Sequence, residues 1–163
     1  FYSLPFSERF LSQESHRTTT KLLPWMNLSR NHPLAVRYAP KNRGGQSLPH
    51  YYVVKGTILV KQALKHIRLQ SSLGINLGIH LQWTQHHTGL QTGILTDTKT
   101  DLSYIPSNWW TKMRQFLHYI QGKLRLEQQY TIPPLQTDDR SIMTDLLGVF
   151  KWQKKELKRI NAC

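Results

Sequence analysis

Asp138 and Asp139 are the adjacent carboxylates in this chain whose type and spacing come nearest to metal-assisted phosphoryl chemistry, in which two ions clamp the attacking and leaving oxygens. Nucleotide polymerases place such a pair in a strand–turn–strand, after an aromatic residue and one further residue. Here Gln136 and Thr137 precede the pair and follow Pro133-Pro134, so the aromatic place is not filled. A helix N-terminus explains the pair better, because carboxylates favour the positive end of the helix dipole. Asp97, Asp101 and Asp145 complete no recognisable two-metal set. Of the eight histidines, His80, His86 and His87 come nearest to a cluster. Zinc ligands must converge from short fixed spacings, and the adjacent His86 and His87 point different ways on any regular element. A surface or loop role is the better account. There is no Gly-x-Ser-x-Gly elbow, and the only cysteine, Cys163, is the last residue. Gly44-Gly45 lacks the Lys-Ser/Thr partner of a phosphate loop and reads as a turn. The expectation is no catalytic residue, no metal ligand and no cofactor: not an enzyme by itself.

The chemistry that remains is that of binding. Lys and Arg number 22 against nine Asp and Glu, a formal charge of +13. That excess points to a polyanion, nucleic acid before an anionic membrane surface; an acidic neighbouring domain is the competing account. Lys61, Lys65 and Arg68 fall on one side of a helical pattern, and Lys151, Lys154, Lys155 and Lys158 recur at helical spacing near the end. Lys112 and Arg114 follow Trp109-Trp110, and Trp152 sits among the terminal lysines. Such mixtures suit a surface that neutralises phosphates and stacks on bases. Trp109 belongs to an apolar stripe, so Trp110 and Trp152 are the stacking candidates, with packing on a core or partner as the alternative for both. A basic stripe is equally the rim of an ordinary core helix until its partner is known.

These residues need elements to hold them. A chain of 163 residues is about one domain and can bury a core, for which five Trp, seven Tyr and five Phe supply bulk. Residues 1–36 read as a helical lead-in with Ser7 as a cap, a helix through Phe10, Leu11 and Glu14, and a further turn at Leu22, Leu23 and Met26. Thr18, Thr19 and Thr20 make a poor helix centre, and Pro24 should kink any helix that reaches it. A bend rich in Pro, Gly and Asn covers 37–49, and a helical region covers 50–163. Its first helix turns Tyr52, Val53, Gly56, Leu59, Val60, Ala63, Leu64 and Ile67 inward, with Pro49 suited to the first turn. Residues 89–103 read as a loop, with a short extended piece at 93–96. Ser107 then caps a helix whose stripe is Trp109, Met113, Phe116, Leu117 and Ile120, stopped at Gly122. A short strand at 123–130, a helix through Ile142, Met143, Leu146 and Leu147, and a terminal helix complete the chain. The fold class is mainly α, a bundle-like helical unit with at most a small β piece.

In sequence order, Asn31-x-Pro33-x-x-Val36-Arg37-Tyr38-Ala39-Pro40-x-x-x-Gly44-Gly45, Leu81-Gln82-Trp83-x-Gln85-x-x-x-Gly89, Tyr104-Ile105-Pro106-Ser107-x-Trp109, Arg114-x-Phe116-Leu117, Asp139-Arg140-x-Ile142-Met143 and Ile160-Asn161-x-Cys163 resemble the segment after the polymerase core in retroelement reverse transcriptases outside the long-terminal-repeat class. The likeness covers 31–163, and the shared order of the motifs carries it. It implies a noncatalytic thumb-like and connecting segment that holds an RNA or DNA template-primer duplex by its backbone, beside the polymerase and downstream parts of one polyprotein. It also implies a helix at 73–83, where strict alternation of Leu73, Ile75, Leu77, Ile79, Leu81 and Trp83 would otherwise read as a half-buried strand. The alternative function is a structural linker packed on an acidic neighbouring domain. Phe1 in place of an initiator Met suggests a piece of a longer protein. With one cysteine and no apolar run of about 18 residues, the expected setting is intracellular, nuclear or cytoplasmic, without a membrane partner.

Overall fold

The computed structural model describes residues 7–126 together with Met143, Asp145, Leu146 and Glu156. Among these the chain is mainly helical and carries no strand. The helices are α1 (Glu8–Leu22), α2 (Leu34–Tyr38), α3 (Tyr51–Arg68), α4 (Ser72–Thr88) and α5 (Trp109–Tyr119), with 3-10 turns at Leu23–Met26 and Lys41–Arg43. The chain divides into two compact units, Phe1–Leu59 and Val60–Cys163, the division falling within α3.

The interior of the first unit is unusually polar. Ser7 caps α1 by accepting from the Phe10 amide at 3.2 Å. The helix then runs through Thr18, Thr19 and Thr20 despite their poor propensity. Thr19 is buried and donates back to the Ser15 carbonyl at 2.8 Å, so its hydroxyl stays within the helix instead of competing with it. Pro24 falls in the first residues of the following 3-10 turn, which ends at Asn27 in the left-handed region. Arg37 is buried, and its guanidinium donates to the carbonyls of His32 and Arg30 and to the Thr20 hydroxyl at 2.7–3.0 Å. The bend folds back on α2: the Gln46, Ser47 and Leu48 amides donate to the Val36, Ala39 and Arg37 carbonyls. Gly45 makes that return possible, since a Cβ there would lie 2.0 Å from the Ala39 oxygen. Ser15 then accepts the Tyr51 amide at 2.7 Å, satisfying one of the orphan donors at the start of α3.

In the second unit α3 leads into α4 through a tight turn at Gln70, which has φ 46°. Ser71 caps α4, and Gly74 lies so close to the end of α3 that a Cβ would sit 2.0 Å from the His66 oxygen. The buried side of α4 is Gly74, Leu77, Leu81, Thr84, Gln85 and Thr88. The Gln85 amide donates to the Leu90 and Thr92 carbonyls and accepts the Ile94 amide, pinning the loop after α4. Thr88 accepts at its carbonyl from the Tyr104 hydroxyl at 2.9 Å. Leu77, Leu81, Ile94, Leu95, Leu102, Ile105, Trp110, Met113, Phe116 and Leu117 are buried with these groups.

The helix expected at 73–83 is present. The extended piece expected at 93–96 is instead a turn, in which the Thr96 and Asp97 amides both donate to the Gly93 carbonyl. Residues 123–126 form no strand, although the Leu124 amide donates to the Leu95 carbonyl; the rest of that expected strand lies outside the described residues. Asn108, not Ser107, caps α5, in a reciprocal capping box with Thr111. At the other end Gln121 takes the left-handed place at φ 54°, and the Gln121 and Gly122 amides donate to the His118 and Leu117 carbonyls. Those two bonds make a Schellman ending whose left-handed residue is one position before the glycine. Met143, Asp145, Leu146 and Glu156 are helical; the remainder of the two C-terminal helices expected there lies outside the described residues.

Candidate nucleic-acid interface

Lys61, Lys65 and Arg68 are all exposed on α3. At spacings of four and three they lie in one row, because those intervals bring side chains to the same face. The row covers roughly 10 Å at about 1.5 Å per residue. One strand of a duplex presents about three phosphates over that length of axis. Ala63 is buried on the opposite side of α3, so the row is held outward by packing behind it.

Arg68 also borders a groove of about 630 Å³. Leu64 and Ile67 of α3 form one wall, Gly74, Ile75, Gly78, Ile79 and Gln82 of α4 the floor, and Arg125 and Leu126 another side. No carboxylate is among these residues. Ile75 and Ile79 are 56% and 58% exposed, whereas Leu77 and Leu81 on the other side of the same helix are buried. Arg125 stands in a stretch with no helical row to mark it, so periodicity does not single it out. The signal for Ile75 and Ile79 is present in the sequence: an alternating apolar run on a helix must place residues on two faces, and the core takes only one.

Two residues expected at the interface are elsewhere. Trp110 has no exposure, and its indole N–H donates to the Leu77 carbonyl at 3.1 Å, so it joins α5 to α4 and offers no stacking face. The neighbouring Trp109 is half-buried, the reverse of the order expected. Arg114 is 8% exposed. Its Nε donates to the Ile94 and Asp97 carbonyls, each at 3.1 Å, and another nitrogen donates to the Thr100 carbonyl. Burial lowers the Arg114 pKa from its ordinary value, against the opposing pull of Asp97, Tyr104 and Asp101. A guanidinium buried on three loop carbonyls is not presented on the surface to a phosphate. Lys112 remains half-buried on α5. Lys151, Lys154, Lys155, Lys158 and Trp152 lie outside the described residues, as do Asp138 and Asp139.

The loop held by Arg114 is ordered by its own carboxylate. Burial pushes the Asp97 carboxyl up, but the Thr100 hydroxyl and the Lys99 and Thr100 amides, with Arg114, bring it below its usual value. Burial pushes the Tyr104 phenol up to about 12. Among the described residues no three His, Cys, Asp or Glu converge on a metal site. His80 and His87 flank Trp83, with ring centroids 5.6 and 4.0 Å away, and no helix among the described residues is long and apolar enough to cross a membrane. Comparison of the chain with protein-family models, curated proteins and solved structures finds no match.

Proposed function

We propose that this chain holds nucleic acid by its sugar-phosphate backbone along the Lys61, Lys65 and Arg68 row, as the noncatalytic thumb-like and connecting segment of a retroelement reverse transcriptase outside the long-terminal-repeat class. The observation that supports this most directly is three exposed cations in one row on a helix whose other side is packed. The formal charge of +13 adds the long-range attraction that non-specific backbone binding requires. The assignment to reverse transcriptases rests on the ordered motifs.

Duplex binding should ignore sequence and weaken steeply with salt, log affinity falling by about 0.9 per unit log salt for each phosphate neutralised on B-form DNA. Changing Lys61, Lys65 and Arg68 together to Gln should reduce that slope by roughly two to three units while the fold is kept, since Gln has comparable helix propensity. Fluorescence anisotropy at several salt concentrations reads the slope. A linker packed on an acidic domain predicts weak binding throughout and an unchanged slope, which would remove the backbone-binding role. The upstream reading frame is expected to encode an aromatic-x-Asp-Asp motif, and a frame without one would remove the assignment to reverse transcriptases.

A further inference from the structure

The groove beside the basic row has a floor that backbone binding leaves unused. Ile75 and Ile79 are more than half exposed, and Gly78 lies between them in sequence on the same floor. Among the described residues the apolar lining is aliphatic, with no aromatic ring on which a base could stack. A helix suits it better, because its side chains at successive turns can enter the groove. Charge narrows the occupant further. Arg68 and Arg125 both line the groove and none of its described lining residues is a carboxylate, so their charge favours an acidic flank, and guanidinium groups pair with carboxylates in a two-pronged fork.

We propose that this groove binds an acidic amphipathic helix of a protein partner, its aliphatic face on Ile75 and Ile79 and its carboxylates on Arg68 and Arg125. The surface adjoins the basic row and shares Arg68 with it, so partner and nucleic acid compete for that residue. The inference rests on the groove and stands without the backbone-binding role.

The test uses the full chain and a fluorescein-labelled helical peptide of about five turns, with Leu along one face and Glu on both flanks. A scrambled peptide and a version with Lys in place of Glu serve as controls. The acidic peptide should bind more tightly than either. Ile75→Gln with Ile79→Gln should weaken it at least about tenfold, as expected for anchors at the centre of an interface. Arg125→Glu should weaken the acidic peptide and strengthen the Lys version, a charge reversal that loss of folding cannot imitate. Duplex DNA binding should be unchanged by the Ile substitutions, whereas failure of the backbone reading shows itself in the salt slope of the Lys61, Lys65 and Arg68 variant. Three results would overturn the proposal: an acidic peptide bound no better than its scrambled form, DNA binding lost with the two Ile changes, or a wild-type dimer in light scattering that those changes dissolve.

Discussion

At Arg114 a charged group has been taken out of water and given three backbone carbonyls in return, those of Ile94, Asp97 and Thr100. Hydrogen bonds to a charged group contribute about 1.5–3 kcal/mol, and removing the donor leaves buried acceptors without it. Arg114→Met should therefore cost about 3 kcal/mol of stability, read from the urea midpoint at unchanged slope, while DNA binding by the folded fraction keeps its salt dependence. A loss under about 0.5 kcal/mol, the range of ordinary surface changes, would show that the clasp does not hold the loop. Arg114 also explains the exchanged places of the two tryptophans. Treating arginine as a surface residue centres the apolar stripe on Trp109, Met113 and Phe116; with Arg114 inside, the buried side is Trp110, Thr111, Met113, Arg114, Phe116 and Leu117. The stripe was legible in the sequence, but its centre was not, because the carbonyls that satisfy Arg114 come from a loop whose path no periodicity encodes.

The helices themselves were easier to read than their ends or their faces. The basic row on α3 follows from spacing alone, and so does the cap at Ser7. For α4, period-2 alternation pointed to a strand, and the element is a helix because its apolar residues serve two surfaces, the core side and the groove side. What fixes α4 against α3 is Gly74, whose role appears only when the two backbones are placed together. Ala at this position would gain about 1 kcal/mol of helix propensity. Its Cβ would nevertheless sit 2.0 Å from the His66 oxygen and 2.5 Å from the His66 carbonyl carbon, so one helix must shift. Overpacking of this kind costs about 1–3 kcal/mol or more, and backbone yields less readily than a side chain. Gly74→Ala should lower the urea midpoint, whereas Gly93→Ala, whose Cβ would meet only the Thr96 hydroxyl at 3.5 Å, should leave it nearly unchanged. Equal midpoints for the two variants would mean that the turn between α3 and α4 relaxes freely.

Across the whole molecule, charge imposes a condition that local packing cannot remove. With 22 Lys and Arg against nine Asp and Glu, at least 13 cations have no carboxylate to pair with even if every acid is matched one to one. Exposed surface pairs such as Arg17–Glu14, 3.6 Å apart on α1, contribute little in any case. The dominant long-range term in the folded state is therefore repulsion, which expansion on unfolding relieves. Salt screens interactions between exposed charges beyond about 10 Å at 0.1 M and about 3 Å at 1 M, so it weakens the spread-out repulsion more than the few close attractions. The thermal midpoint should accordingly rise as sodium chloride is increased at fixed pH, and rise further when sulfate replaces chloride at equal ionic strength, since sulfate also strengthens apolar burial. Removing positive charge at Lys61, Lys65 and Arg68 should flatten the chloride dependence without abolishing it, because those three are a minority of the excess. Differential scanning calorimetry of wild type and the triple Gln variant across a chloride series tests this directly. A midpoint that falls with chloride would mean that attractive pairs, not repulsion, dominate the folded state, and the excess charge would then have to be balanced locally by contacts closer than the screening length.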